Sequence, residues 1–209
     1  MSLFHKILRA GDSLRVSRFH TLRGEIIPLA EFIGLPFELF LRLIGIHRAG
    51  PWICKPAVRF LNGLLDTTPA LRVLEIGGGR SSKYFSERAG SLLTVEEDSD
   101  WAQKIVKMVN KENYNFDIVI TGFEEWLGTR NSTNMDFDLI LIDGSTDALR
   151  KKAIEILPKY NKSAIYILDN SDRLIFRNID FCSPPKRIVQ FNGLVRHPFQ
   201  ATETTFFWF

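Results

Sequence analysis

Glu75 lies in a short β-rich run, Arg72 to Ile76, that passes directly into Gly77, Gly78 and Gly79 within VLEIGGGRSSKYF. Glycines where a strand hands over to a helix let backbone N–H groups approach a ligand with no Cβ in the way, and the helix start favours a carboxylate. Glu96 closes the next β-rich run, Leu92 to Glu96, where an acid can accept hydrogen bonds from both hydroxyls of a ribose. The set predicts a nucleoside site. Ser81 and Ser82 cap the following helix and face the ligand, and Glu97 or Asp98 competes with Glu96 for the ribose. Two rival fingerprints fail: the third glycine of G-x-G-x-x-G is Ser82, and no G-x-x-x-x-G-K-[ST] occurs.

A second group of oxygen ligands sits further on. FDLILI stops at Asp143-Gly144, and AIYIL stops at Asp169-Asn170. Continuous apolar runs of this length read as parallel strands buried on both faces. Adjacent strands would bring Asp143, Asp169 and Asn170 to one sheet edge, a hard-oxygen set suited to Mg²⁺, which lowers the pKa of a bound hydroxyl. The alternative is that Asp143 and Asp169 only end their strands and border the nucleoside. On the metal reading both acids are candidate catalytic residues. Asp172, Arg150 and Arg173 are candidates to hold a polar acceptor, or else form surface ion pairs. His5, His20, His47 and His197 are scattered, so no zinc set is expected.

These residues need a scaffold. From Leu71 onward β-rich runs alternate with helical stretches: Phe116 to Ile120 makes a third strand, Ala148 to Leu157 a crossover helix, and Arg187 to Phe191 and Thr204 to Phe209 two closing strands. Such alternation predicts an α/β fold with a doubly wound, mostly parallel sheet. Phe206, Phe207, Trp208 and Phe209 are expected to be buried in the last strand. Before residue 70 apolar residues recur at helical spacing, at Leu3 to Leu8, Ile26 to Ile33, Phe37 to Ile44 and Ala57 to Leu64. The expected division is a helical N-terminal cap over 1–66 and a nucleoside-binding domain over 67–209.

The order of four blocks carries a resemblance. VLEIGGGRSS resembles motif I of the class I S-adenosylmethionine-dependent methyltransferases, LLTVEED their second motif, and FDLILIDGS and YILDNSDR their motifs IV and V. The resemblance spans roughly Pro51 to Phe209. It implies a Rossmann-like sheet of seven strands with the last antiparallel, S-adenosylmethionine as cofactor, and transfer to oxygen of a small-molecule, glycan or lipid acceptor. It implies that Glu75, Gly77 and Gly79 hold the methionine end, Glu96 the ribose, and Phe123 and Glu124, after Gly122, the adenine. Asp143 and the Asp169-Asn170 pair resemble the metal site of the catechol-type O-methyltransferases. The lysine that group carries three residues after its first Asp is Thr146 in this chain.

Composition limits the alternatives. With 209 residues, 45% hydrophobic and 24% charged, the chain has the balance of a globular protein with one substantial core. Lys6, Arg9, Arg15, Arg18 and Arg23 face Asp12 alone in the first 23 residues, and the rest is close to neutral, so no basic face for nucleic acid is expected. That arm either docks on the domain or touches an anionic membrane. Cys54 and Cys182 have no metal-type spacing and suit a reducing, cytoplasmic setting. No signal peptide is expected, and the apolar stretch Phe32 to Ile46 is interrupted by Pro36, Glu38 and Arg42, so no membrane span is expected. A catalytically inert nucleoside-binding module and a peripheral membrane protein are the competing functions. Oligomeric state is open.

Overall fold

The computed structural model describes residues 15–33, 36, 37, 40, 44, 50–68, 70–109, 115–129, 135–195 and 200–209. Seven strands make one sheet: β1 (Arg72–Ile76), β2 (Ser91–Glu96), β3 (Phe116–Ile120), β4 (Leu139–Ile142), β5 (Ile165–Asp169), β6 (Arg187–Leu194) and β7 (Ala201–Trp208). Their order is β3-β2-β1-β4-β5-β7-β6. The first five are parallel, and β7 runs antiparallel between β5 and β6. This is the doubly wound, seven-stranded sheet that the sequence implies, and the order reverses between β1 and β4. Ligands in open α/β sheets bind at such a reversal, outside the carboxyl ends of the strands.

β4 explains why its sequence reads as an unbroken apolar run. Leu139 and Leu141 join the core on one face, Ile140 and Ile142 the core on the other, and all four are fully buried. Helices α2 (Lys55–Thr67) and α3 (Arg80–Ser86) cover the first face through Ala57, Leu61, Leu65, Tyr84 and Phe85. Helices α5 (Phe123–Gly128) and α6 (Asp147–Ile156) cover the second through Phe123, Trp126, Ala153 and Ile154. Helix α4 (Ser99–Met108) follows β2 and buries Ala102 and Ile105. The aromatic run of β7 divides between the faces as expected for a strand: Phe206 packs against Phe60 and Phe191, while Phe207 and Phe209 meet Phe181.

The Ile26 to Ile33 stretch departs from its helical reading, whereas the Ala57 to Leu64 helix is present within Lys55–Thr67. Helix α1 covers only Ala30–Ile33, and the chain from 15 to 29 is a loop. Thr21 N–H donates to the Glu25 carbonyl and Ile27 N–H to the Phe19 carbonyl, Gly24 takes φ +84°, and Pro28 has no N–H to give a helix. Ile26, Leu29 and Ile33, the expected buried stripe, are exposed, whereas Ile27 packs against Leu194 and Ala201. The loop is pinned by charge. Arg15 donates to the Ala201 carbonyl and lies 3.7 Å from Asp172, whose other bonds come from Leu22 N–H and the Thr202 hydroxyl. Arg23 pairs with Glu203 at 2.9 Å. The Leu3 to Leu8 helix, and with it Lys6 and Arg9, lies outside the described residues, as do His197, Pro198 and Phe199. Among the described residues no helix is long and apolar enough to cross a membrane.

Candidate functional site

A cavity of about 570 Å³ opens at the sheet reversal, lined among others by Gly77, Gly78, Gly79, Ser81, Glu96 and Asp143. β1 ends at Ile76, and the chain turns through the three glycines into α3. The turn is braced from below: Gly79 N–H donates to Ser82 Oγ, whose hydroxyl donates to Glu75, and Thr94 Oγ1 donates to the same Glu75 oxygen at 2.8 Å. Glu75 Oε1 is buried without a partner. Burial raises the Glu75 pKa to about 7 against the opposing hydroxyls of Ser81, Ser82 and Thr94.

The three glycines have different reasons to be glycine. A Cβ on Gly77 would stand 2.5 Å from the Asp143 carbonyl oxygen, and its φ is +84°. A Cβ on Gly78 would strike Ile105 Cδ1 at 2.5 Å and Thr94 Cγ2 at 2.7 Å. Only Gly79 faces open space, with nothing within 4 Å of a built Cβ. Closeness to other protein groups therefore explains Gly77 and Gly78, whereas Gly79 is left open on the cavity wall.

Glu96 reaches across from β2. Its Oε2 accepts from Gly78 N–H at 2.9 Å and its Oε1 from Asp98 N–H at 3.0 Å, so the carboxylate is fixed while each oxygen keeps a lone pair. Asp98 caps α4 by accepting from the N–H groups of Asp100 and Trp101. Trp101 Nε1–H donates to the Gly78 carbonyl at 2.8 Å, so its ring forms cavity wall. Trp52 and Arg80 also line the cavity, with the guanidinium 5.7 Å from the ring centroid.

Not every predicted residue comes to the cavity. Ser82 is fully buried beneath the turn and braces it instead of facing a ligand. Glu97 is exposed and accepts from the Ser145 hydroxyl. Phe123 packs beside Trp126 and lines a small adjoining cavity with Gly77, Glu96 and Glu97, while Glu124 is exposed and pairs with Lys152, so neither borders the main cavity. The sequence marks Gly122-Phe123-Glu124 as a helix start, and at a helix start one side chain turns inward and the next outward.

Asp143, Asp169 and Asn170 do share one sheet edge, but four of their five side-chain oxygens are engaged. Asp143 Oδ1 pairs with Arg150 Nη2 at 2.7 Å. Asp169 accepts from the Thr204 hydroxyl at 3.0 Å and from the Asn170 side-chain amide, and it does not line the cavity. Asn170, at φ +55°, accepts from Arg173 Nη2 at 2.6 Å. Burial, then the charge of Asp143, raises Asp169 to about 8. Among the described residues no group of three His, Cys, Asp or Glu side chains is placed to hold a metal. A donor set already satisfied by two guanidiniums, a hydroxyl and an amide does not fit the Mg²⁺ site that the resemblance implied.

No family model and no curated protein matches the chain. Solved structures do. A Klebsiella pneumoniae protein provisionally classed as an O-methyltransferase is 19% identical, with 98% of this chain and 93% of that chain covered at a TM-score of 0.58. The O-methyltransferase TomG of tomaymycin synthesis from Streptomyces achromogenes, in complex with S-adenosylmethionine, is 15% identical over 85% and 90% at 0.57. An O-methyltransferase from Bacillus cereus, in complex with S-adenosylhomocysteine, is 16% identical over 83% and 90% at 0.53. The chain has the class I methyltransferase fold. In that fold the cavity between β1, β2 and β4 occupies the topological switch point. Trp52, Trp101 and Arg80 were not among the site residues that the sequence marked. Trp101 had a signal, being three residues after a capping Asp next to the predicted ribose acid. Trp52 had none, since only tertiary packing brings it in.

Proposed function

We propose that the protein is an S-adenosylmethionine-dependent methyltransferase acting at oxygen of a small-molecule, glycan or lipid acceptor. The observation that carries this is a cavity at the glycine turn whose wall presents the fixed Glu96 carboxylate, with the partnerless Glu75 Oε1 buried in β1 just before that turn. A buried acceptor with no partner is costly unless a ligand supplies a donor, and the amino group of S-adenosylmethionine is such a donor. Two O-methyltransferases of this fold, one with S-adenosylmethionine and one with S-adenosylhomocysteine, support the choice of cofactor and of oxygen. Residues 67–209 would form the binding domain and residues 1–66 its cap, with Trp52 the part of the cap that reaches the cavity.

When bound, S-adenosylmethionine supplies an electrophilic methyl group on a sulfonium. Glu75 would hold the amino-acid end, Gly79 and Ser81 would leave it room beside the turn, and Glu96 would take the ribose hydroxyls. Trp101 and Trp52 would exclude water from the cavity mouth. Asp143, fixed by Arg150, would border the acceptor side. Transfer to oxygen is an in-line displacement, so alignment in a dry cavity supplies much of the rate.

S-adenosylhomocysteine should stabilise the protein against thermal unfolding, by about 2.7 kcal/mol at 100 times its dissociation constant. NAD and ATP should not. Equal stabilisation by NAD, or none by S-adenosylhomocysteine at millimolar concentration, would defeat the assignment.

A further inference from the structure

Arg150 projects from α6 to the carboxyl ends of β4 and β5. Its Nε–H donates to the Gly144 carbonyl at 2.7 Å, Nη2 pairs with Asp143 Oδ1 at 2.7 Å, and Nη1 points to the Asp169 carbonyl at 3.5 Å. The side chain is 11% exposed and borders the cavity. The segment before it fixes its origin, because Thr146 caps α6 by accepting from Leu149 N–H. Position 146 is where the resembled metal enzymes carry a lysine, and one helical turn later this chain places a guanidinium instead.

A divalent ion bound by Asp143 and Asp169 would have to displace this guanidinium or sit beside it against like-charge repulsion. The remaining oxygen of the set, Asn170 Oδ1, is held by a second guanidinium, that of Arg173. We infer that Arg150 is the resident cation of this strand edge, that it balances Asp143 in place of a metal, and that the protein works without one. Of the five N–H donors of a guanidinium, three have partners, which leaves two to hold an acceptor hydroxyl in line with the methyl group. Arg150 is thereby a positioning residue for Asp143 and Gly144. The link to catalysis rests on the methyltransferase reading. The occupancy of the site by a fixed cation does not.

The test uses the full chain and Mn²⁺ as the probe. Electron paramagnetic resonance of free Mn²⁺ counts bound metal, and thermal unfolding is followed in excess EDTA, in Mg²⁺, and with S-adenosylhomocysteine. The wild type should bind no stoichiometric Mn²⁺ and melt at the same temperature in EDTA and Mg²⁺. Arg150→Met strips the counter-charge from Asp143. It should melt lower and bind Mn²⁺ roughly tenfold more tightly than the wild type, and adding Asp143→Asn should abolish that gain. Arg150→Lys, which keeps a cation, should stay metal-blind and fold even if Arg150→Met does not. Stoichiometric Mn²⁺ in the wild type that is lost on Asp143→Asn or Asp169→Asn would overturn the inference, as would an Arg150→Met protein of unchanged melting temperature. Absence of an S-adenosylhomocysteine shift would count against the cofactor assignment alone, with the Mn²⁺ count still deciding the cation.

Discussion

Gly77 and Asp143 meet backbone to backbone, so that a Cβ on Gly77 would lie 2.5 Å from the Asp143 carbonyl oxygen. The contact joins the turn after β1 to the end of β4, across the point where the sheet order reverses. Gly77→Ala should therefore injure the fold itself, by about 2 kcal/mol or more, since it adds positive-φ strain to a clash with main chain that cannot move aside. Gly79→Leu should leave denaturant stability near that of the wild type and eliminate the S-adenosylhomocysteine shift. A Gly77→Ala protein as stable as the wild type would show that the two strand ends can separate at little cost.

Glu75 makes a prediction about pH. Its folded pKa of about 7 lies above the ordinary 4.5, so the folded chain holds a proton that the unfolded chain has released between those values. Stability relative to Glu75→Gln is then greatest below pH 4.5 and falls by about 3 kcal/mol as pH rises through 7. Ligand binding runs the other way. An ammonium group meeting Glu75 needs the carboxylate ionised, so affinity for S-adenosylhomocysteine should rise up to about tenfold per pH unit below 7 and level off above it. Calorimetric titration from pH 5.5 to 8.5 checks this, and a flat profile in the wild type would remove Glu75 from the contact.

Asp172 anchors the N-terminal loop. It is fully buried, and Arg15, Leu22 N–H and Thr202 all turn toward it. Asp172→Ala would remove the buried carboxylate toward which Arg15, Leu22 N–H and Thr202 turn, a change that costs about 3–5 kcal/mol in comparable buried pairs. Limited proteolysis should then cut first within residues 15–29 and leave the sheet intact. Unchanged protease resistance would mean that Ile27 and the backbone bonds of the loop suffice to hold it.

The strands were legible because burial on both faces writes itself as uninterrupted apolar residues, as in Leu139 to Ile142. Glu75 and Glu96 were legible as candidates because each stands in or at the end of a strand beside the glycine turn, and the structure joins both to that turn by hydrogen bonds. What sequence did not disclose were choices made by tertiary partners. Ser82 bonds inward to Glu75, Glu124 outward to Lys152, and Asp143 to an arginine one helix later. The Ile26 to Ile33 spacing suited a helix, but Arg15 and Arg23 found buried acids at Asp172 and Glu203, and the loop between them followed those ion pairs rather than its own periodicity.

β7 is later in the chain than β6 yet sits between β5 and β6, and among the described residues β6 bonds to no other strand. As the polypeptide is synthesised, β6 therefore emerges with its edge unmatched and waits for β7 before it can join the sheet. The first five strands can assemble in order of appearance, while the segment carrying Thr204, which supports Asp169, arrives last. A ribosome pausing ahead of β7 would hold a half-sheet with an open β5 edge, the kind of intermediate that chaperones capture and that pairs wrongly when they do not.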